Sequence, residues 1–147
     1  MDMPKRILVG TDFSTHSTAA LDYAVSLAER LGASLTVLHV YELPSYAYPD
    51  VAVPVPPEME REIAKAATHS IHAACERAAK RGVKLEALVV RGSAWAEIDR
   101  VADEKKIDLV VLGTRGHGKL AHVSLGSVAE KVVRTSKHPV LVVPAKR

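Results

Sequence analysis

Two stretches of the chain carry residues whose types and spacing can do chemistry. The first is "GTRGHGKL", Gly113 to Leu120, which follows the apolar run "IDLVVL". Gly113, Gly118 and Lys119 stand at the G-x4-G-K spacing of a Walker A loop, but the next residue is Leu120, with no hydroxyl for Mg²⁺. Gly116, Gly118 and Ala121 form G-x-G-x2-A, a dinucleotide fingerprint, yet that fingerprint belongs after a first strand with an acid about 20 positions on. Both readings fail. What remains is Gly113-x2-Gly116-x9-Gly126-Ser127. Gly113 and Gly116 let backbone N–H groups turn toward an anion without a Cβ in the way, and Gly126 and Ser127 offer the free amides and positive end of a helix. Two donor sets on one loop can clamp a polyphosphate. Ser127 and Glu130 also read as a capping box, which is compatible because the cap positions the same amides. Arg115, His117 and Lys119 add positive charge to the loop, as phosphate contacts or as solvated side chains.

The second stretch, "GTDFS", sets Asp12 just beyond the first apolar run. A carboxylate there can accept from ribose hydroxyls or an amine, or approach a metal. Helix capping by Asp12 or Ser14 is the alternative.

These loops need a frame, and the periodicity supplies one. "RILVGT", "SLTVLHV", "KLEALVV", "IDLVVLG" and "PVLVV" read as strands buried on both faces. Between them lie four helical patterns. The first has apolar Ala20, Ala24, Leu27 and Leu31, with Ser14 as N-cap and Gly32 as stop; the second sets Met59, Ile63, Ile71, Ala74 and Ala78 on one side and closes at Gly82. The third turns Trp95, Ile98 and Val101 inward, and the last Val128, Val132 and Val133. Five strands alternating with four helices predict an α/β fold, a single-domain open five-stranded parallel sheet with helices on both faces. One connection is out of scale: residues 42–57 hold five of the eight prolines, and read as a poorly ordered excursion, a flap over a ligand, or a contact with a second subunit.

Composition narrows the classes. A length of 147 residues suits one domain, here 1–147. The net charge of +3 is spread along the chain, which does not point to nucleic acid. The one cysteine, Cys75, has no disulfide partner and is read as structural. "MDMPKRILVG" lacks the apolar region of a signal peptide and no run reaches the roughly 18 apolar residues of a membrane span, so a cytoplasmic protein is expected.

With Gly113, Gly116, Gly126 and Ser127 at this spacing, and with "ILVGTDFS", "DLVVLGTRG" and "GSVAEKVVRTSKHPVLVV" around them, the chain resembles the universal stress protein family, in its ATP-binding form, over nearly its whole length. The resemblance implies the strand order 3-2-1-4-5, which brings Asp12 and Gly113 to one crevice. It implies ATP, with Mg or Mn held mainly by the phosphates. Asp12 would contact ribose and Val40 would pack near adenine. Gly113, Arg115, Gly116, Gly126, Ser127 and Val128 would surround ribose and phosphates, with Gly10 and Leu112 contributing backbone. It also implies a homodimer through the last strand. Two positions depart from the family's usual pattern: Trp95, which fills a core gap or sits at an interface, and Ser124, where an apolar residue is usual. The expected role is an ATP-binding stress-response or regulatory protein. A slow ATPase or nucleotidyl-transfer enzyme, and a dimeric scaffold without nucleotide, are the alternatives. No catalytic or metal-ligating residue is assigned.

Overall fold

The computed structural model describes residues 2–44, 46–48, 51–79, 82–114 and 125–145, with only the backbone at 46–48, 51–52 and 78. The elements in chain order are β1 (Arg6–Gly10), α1 (Thr15–Leu31), β2 (Ser34–Tyr41), β3 (Tyr46–Tyr48), β4 (Val51–Val53), α2 (Pro57–Ala79), β5 (Leu85–Arg91), α3 (Ala94–Glu104), β6 (Leu109–Gly113), α4 (Ser127–Thr135) and β7 (Val140–Val143).

Five strands form one sheet in the order β5-β2-β1-β6-β7, every neighbour parallel, which is the expected 3-2-1-4-5 arrangement. Alternation along the strands splits the core into two layers. Ile7, Val9, Leu35 and Val37 face α1 and α2, with Ala20, Ala24, Ala28 and Ile71 closing that side. Leu8, Leu38, Val110 and Leu112 face α3 and α4, where Ile98, Val101, Ala129 and Val132 meet them. Because β1 is central, the chain leaves it first toward β2 and later returns on its other side as β6. The carboxyl ends of β1 and β6 therefore flank the point where the strand order reverses, the place where open α/β sheets form a crevice.

The helix ends follow local chemistry. Ser14 caps α1 by accepting from the Ser17 amide, and Gly32 stops it in the left-handed conformation (φ 63°) that glycine adopts without strain. Cys75 is buried on α2 in the same cluster as Ile71, as expected of a structural thiol, and burial pushes its pKa up.

Two expectations are corrected, and one segment carries strands that were not expected. The segment 42–57 contains an antiparallel hairpin, with Tyr46 opposite Val53 and Tyr48 opposite Val51. On α2, Met59 points to solvent. On α4, Val128 and Val133 are exposed while Ala129 and Val132 are buried, because the inward stripe of this nine-residue helix runs through the small Ala129.

Candidate functional site

The first wall of the crevice is built by the residues after β1. The Thr11 amide donates to Leu38 O at 2.9 Å, extending the sheet by one residue. Asp12 then turns the chain: its Oδ1 accepts from the Ser14 amide at 3.0 Å and from the Ser17 hydroxyl at 2.8 Å. A carboxylate bonding the backbone two residues on is an Asx-turn. So Ser14 is the cap, and Asp12 is the residue that aims the cap and is itself held in orientation. Ser17 is the hub. Its Oγ lies 3.1 Å from Thr11 Oγ1 and takes a 3.3 Å bond from the Asp12 amide. Thr11, Ser14 and Ser17 are all buried, so this network satisfies polar groups that water cannot reach.

Phe13 occupies the left-handed region at φ 66°, where a bulky side chain is strained. Its ring lies against His39, centroids 4.5 Å apart, and the Phe13 amide donates to Thr11 Oγ1 at 3.1 Å. His39 Nδ1 is 2.7 Å from Thr11 O; a carbonyl only accepts, so Nδ1 carries the proton. The loop is thus fixed from β2 as well as from α1.

The second wall is the end of β6 with the start of α4. Gly113 pairs with Val143, and its left-handed freedom is not used. Its glycine has a packing reason. A Cβ here would lie 2.7 Å from His16 O and 2.8 Å from His16 C, the backbone of the first turn of α1. Thr114 then does three things. Its amide donates to Val143 O at 3.1 Å, its carbonyl accepts from the Gly126 amide at 2.6 Å, and its hydroxyl stands 3.3 Å from His16 Nδ1. The Gly126–Thr114 bond draws the start of α4 onto the end of β6.

Among the described residues that start has no side-chain cap. Gly126 is the N-cap, in extended conformation (φ −61°, ψ 158°), and Ser127 is the first helical residue. The expected capping box is therefore not formed. Glu130 lies one position too late for it and pairs instead with Arg134 at 2.7 Å. Ser127 and Val128 are exposed, and so is Leu125 before them.

Of the expected site residues, Gly10, Leu112 and Gly113 thus lie at the carboxyl ends of β1 and β6, Asp12 in the loop after β1, and Gly126, Ser127 and Val128 at the start of α4. Gly10 admits Leu112, whose Cδ2 would be 2.9 Å from a Cβ there. Val40 stands near the carboxyl end of β2, half-buried on the α3 side of the sheet. Arg115 and Gly116 lie outside the described residues, as do His117, Lys119 and Ser124. Ser17, His16, Thr114 and His39 carry much of the geometry and were not singled out from the sequence; Ser17 had a signal, standing three residues after the Ser14 cap.

The profile that describes the universal stress protein family matches residues 3–144. The chain belongs to the universal stress protein family. The universal stress protein YxiE of Bacillus subtilis is 37% identical over 147 residues, covering 96% of this chain and 99% of that one. Among solved universal stress protein relatives, MJ0577 of Methanocaldococcus jannaschii superposes with a TM-score of 0.83 at 25% identity, covering 99% of both chains. A universal stress protein in complex with cAMP matches with a TM-score of 0.69 at 26% identity, over 99% of this chain and 100% of that one. Trp95 is half-buried against the α3–α4 core, with Lys131 Nζ 4.1 Å from its ring centroid.

Proposed function

We propose that the chain binds an adenine nucleotide in the crevice between the β1 and β6 loops, and that occupancy regulates its conformation or a partner interface. The observation that carries this reading is the start of α4. Among the described residues its first turn has no side-chain cap; it is tied by Gly126 to Thr114 and stands across the strand-order reversal from Asp12. Such a helix start favours an anion through its free amides and its dipole. The cAMP complex of a relative supports an adenine nucleotide as the anion.

In this proposal Asp12 accepts from ribose hydroxyls, Val40 packs near adenine, and Gly113, Arg115, Gly116, Gly126, Ser127 and Val128 surround ribose and phosphates. Gly10 and Leu112 contribute backbone at the strand ends. In this proposal Mg or Mn is held mainly by the nucleotide phosphates. A homodimer would form through β7, an edge strand whose Val140, Leu141 and Val142 are only half-buried.

Mass spectrometry of small molecules released from freshly purified, denatured protein tests the reading. An adenine nucleotide in stoichiometric amount is expected; release of a different ligand class would replace it. A steady-state phosphate-release assay separates regulation from catalysis, because turnover above about 1 s⁻¹ would make the protein an enzyme.

A further inference from the structure

At the other end of the sheet from the proposed nucleotide crevice, the amino ends of β1, β2 and β5 and the turn after α3 line a half-open cavity of about 430 Å³. Its floor includes Thr36, which shares the α3 face of β2 with Leu38 and Val40. Thr36 is 8% exposed, its hydroxyl bonds to none of the described residues, and it is not among the buried polar atoms without a partner, so the oxygen opens onto the cavity. An aliphatic residue would suit that position on packing grounds. A hydroxyl left open on an otherwise buried residue is available to a ligand.

The rim is charged unequally. Arg6, Lys84 and Lys105 stand against Glu86 and Glu104. Both acids are already engaged: Glu86 holds Lys105 Nζ with its two oxygens at 3.1 and 2.9 Å, and Glu104 takes Arg100 at 2.7 Å. Arg6 meets only the Lys105 carbonyl, at 3.5 Å, and Lys84 has no ion-pair partner among the described residues. Two cations outside any described ion pair at the mouth, the open hydroxyl of Thr36 and apolar Ile107 on the same face of the sheet describe one ligand chemistry.

We propose that this cavity is a second ligand site, for a small organic anion whose carboxylate or phosphate meets Arg6 and Lys84 and whose polar far end reaches Thr36. The volume lies in the lower part of the range of about 300–1,000 Å³ found for small-molecule pockets, which suits a metabolite smaller than a nucleotide. The site stands on the same strands as the nucleotide crevice. Arg6 begins β1 and Gly10 ends it, a separation of about 13 Å at strand rise. The protein would then receive two chemical inputs at opposite ends of one rigid sheet.

The test is a titration of the full chain, followed by ¹H–¹⁵N spectra at constant ionic strength, with malate, glycerol 3-phosphate and, as an uncharged control, glycerol. Saturable shifts at Arg6, Thr36, Lys84 and Lys105 are expected for one or both anions and not for glycerol; which anion responds distinguishes carboxylate from phosphate. The double variant Arg6→Gln, Lys84→Gln changes exposed side chains, and Thr36→Val keeps the shape while removing the hydroxyl. Each is expected to weaken binding about tenfold or more with well-dispersed spectra retained. The proposal is overturned by no saturable shift there up to tens of millimolar, by shifts confined to Gly113 and Gly126, by an equal response to glycerol, or by unchanged affinity in both variants. That last result would mean that Thr36 is satisfied by water alone. Running the titration with and without ATP keeps its outcome separate from that of the nucleotide reading.

Discussion

Gly113→Ala separates the part of the glycine pattern that builds the fold from the part that meets a ligand. The added methyl would stand 2.7 Å from His16 O, and ordinary contact begins at 3.4 Å, so the backbone of α1 or β6 must move by roughly 0.7 Å. The obstacle is main chain, not the end of a flexible side chain. Overpacking of this kind costs about 1–3 kcal/mol, and the upper half of that range applies where backbone must yield. For a chain of this size each kcal/mol corresponds to roughly 4 °C, so the unfolding temperature should fall by about 8–12 °C, with or without nucleotide. The shifted turn carries Ser14 and Ser17, which orient Asp12, so nucleotide affinity should fall as well. Thermal unfolding followed by circular dichroism reads the first effect. A midpoint within 2 °C of the parent protein would refute the packing account of Gly113.

Three further outcomes follow from the same geometry. Ser17→Ala removes the hydroxyl shared by Thr11, Asp12 and Ser14 and should lower stability by about 1–2 kcal/mol in urea unfolding, with loosened nucleotide binding; a neutral variant would show that the network is dispensable. Val132→Ala should cost about 2 kcal/mol while Val133→Ala stays within about 0.5 kcal/mol, since the first is fully buried and the second exposed; the reverse order would contradict the assigned face of α4. Cys75 should react with iodoacetamide far more slowly in the native protein at pH 8 than in urea. Burial raises its pKa from the ordinary 9.0, so the neutral thiol is the form the fold favours; its contribution to stability is level below pH 9 and is lost as pH rises past that value. Equal labelling rates in the two states would mean that the thiol is not enclosed.

Much of this architecture was legible in the residues. The boundaries of α1 follow from Ser14 and Gly32, because a capping hydroxyl and a left-handed glycine each have a local physical cause. The five sheet strands were readable as apolar runs, since strands buried on both faces need no alternation. Their order was not derivable from periodicity and came from the resemblance. The hairpin was hidden because β3 and β4 are three residues each and lie among prolines. The helix start at Ser127 was legible, but its N-cap was misassigned to Ser127 instead of Gly126, because S-x-x-E fits a capping box equally well when its glutamate pairs forward to Arg134. The buried stripe of α4 was obscured by large valines, whereas it runs through Ala129. Ser17, His16 and Thr114 were invisible as site-builders because their contacts cross from α1 to the loop after β1 and to the end of β6, and no spacing in the chain encodes those approaches.

The most direct measurement is a calorimetric titration of ATP with Mg²⁺ into the parent protein and into Gly126→Val. The account predicts saturable binding by the parent, and loss of binding by a variant that still unfolds cooperatively, with a stability decrease of only about 1 kcal/mol for the poorer N-cap. No binding by the parent at millimolar ATP, or undiminished binding by Gly126→Val, would contradict the claim that the start of α4 receives the phosphates.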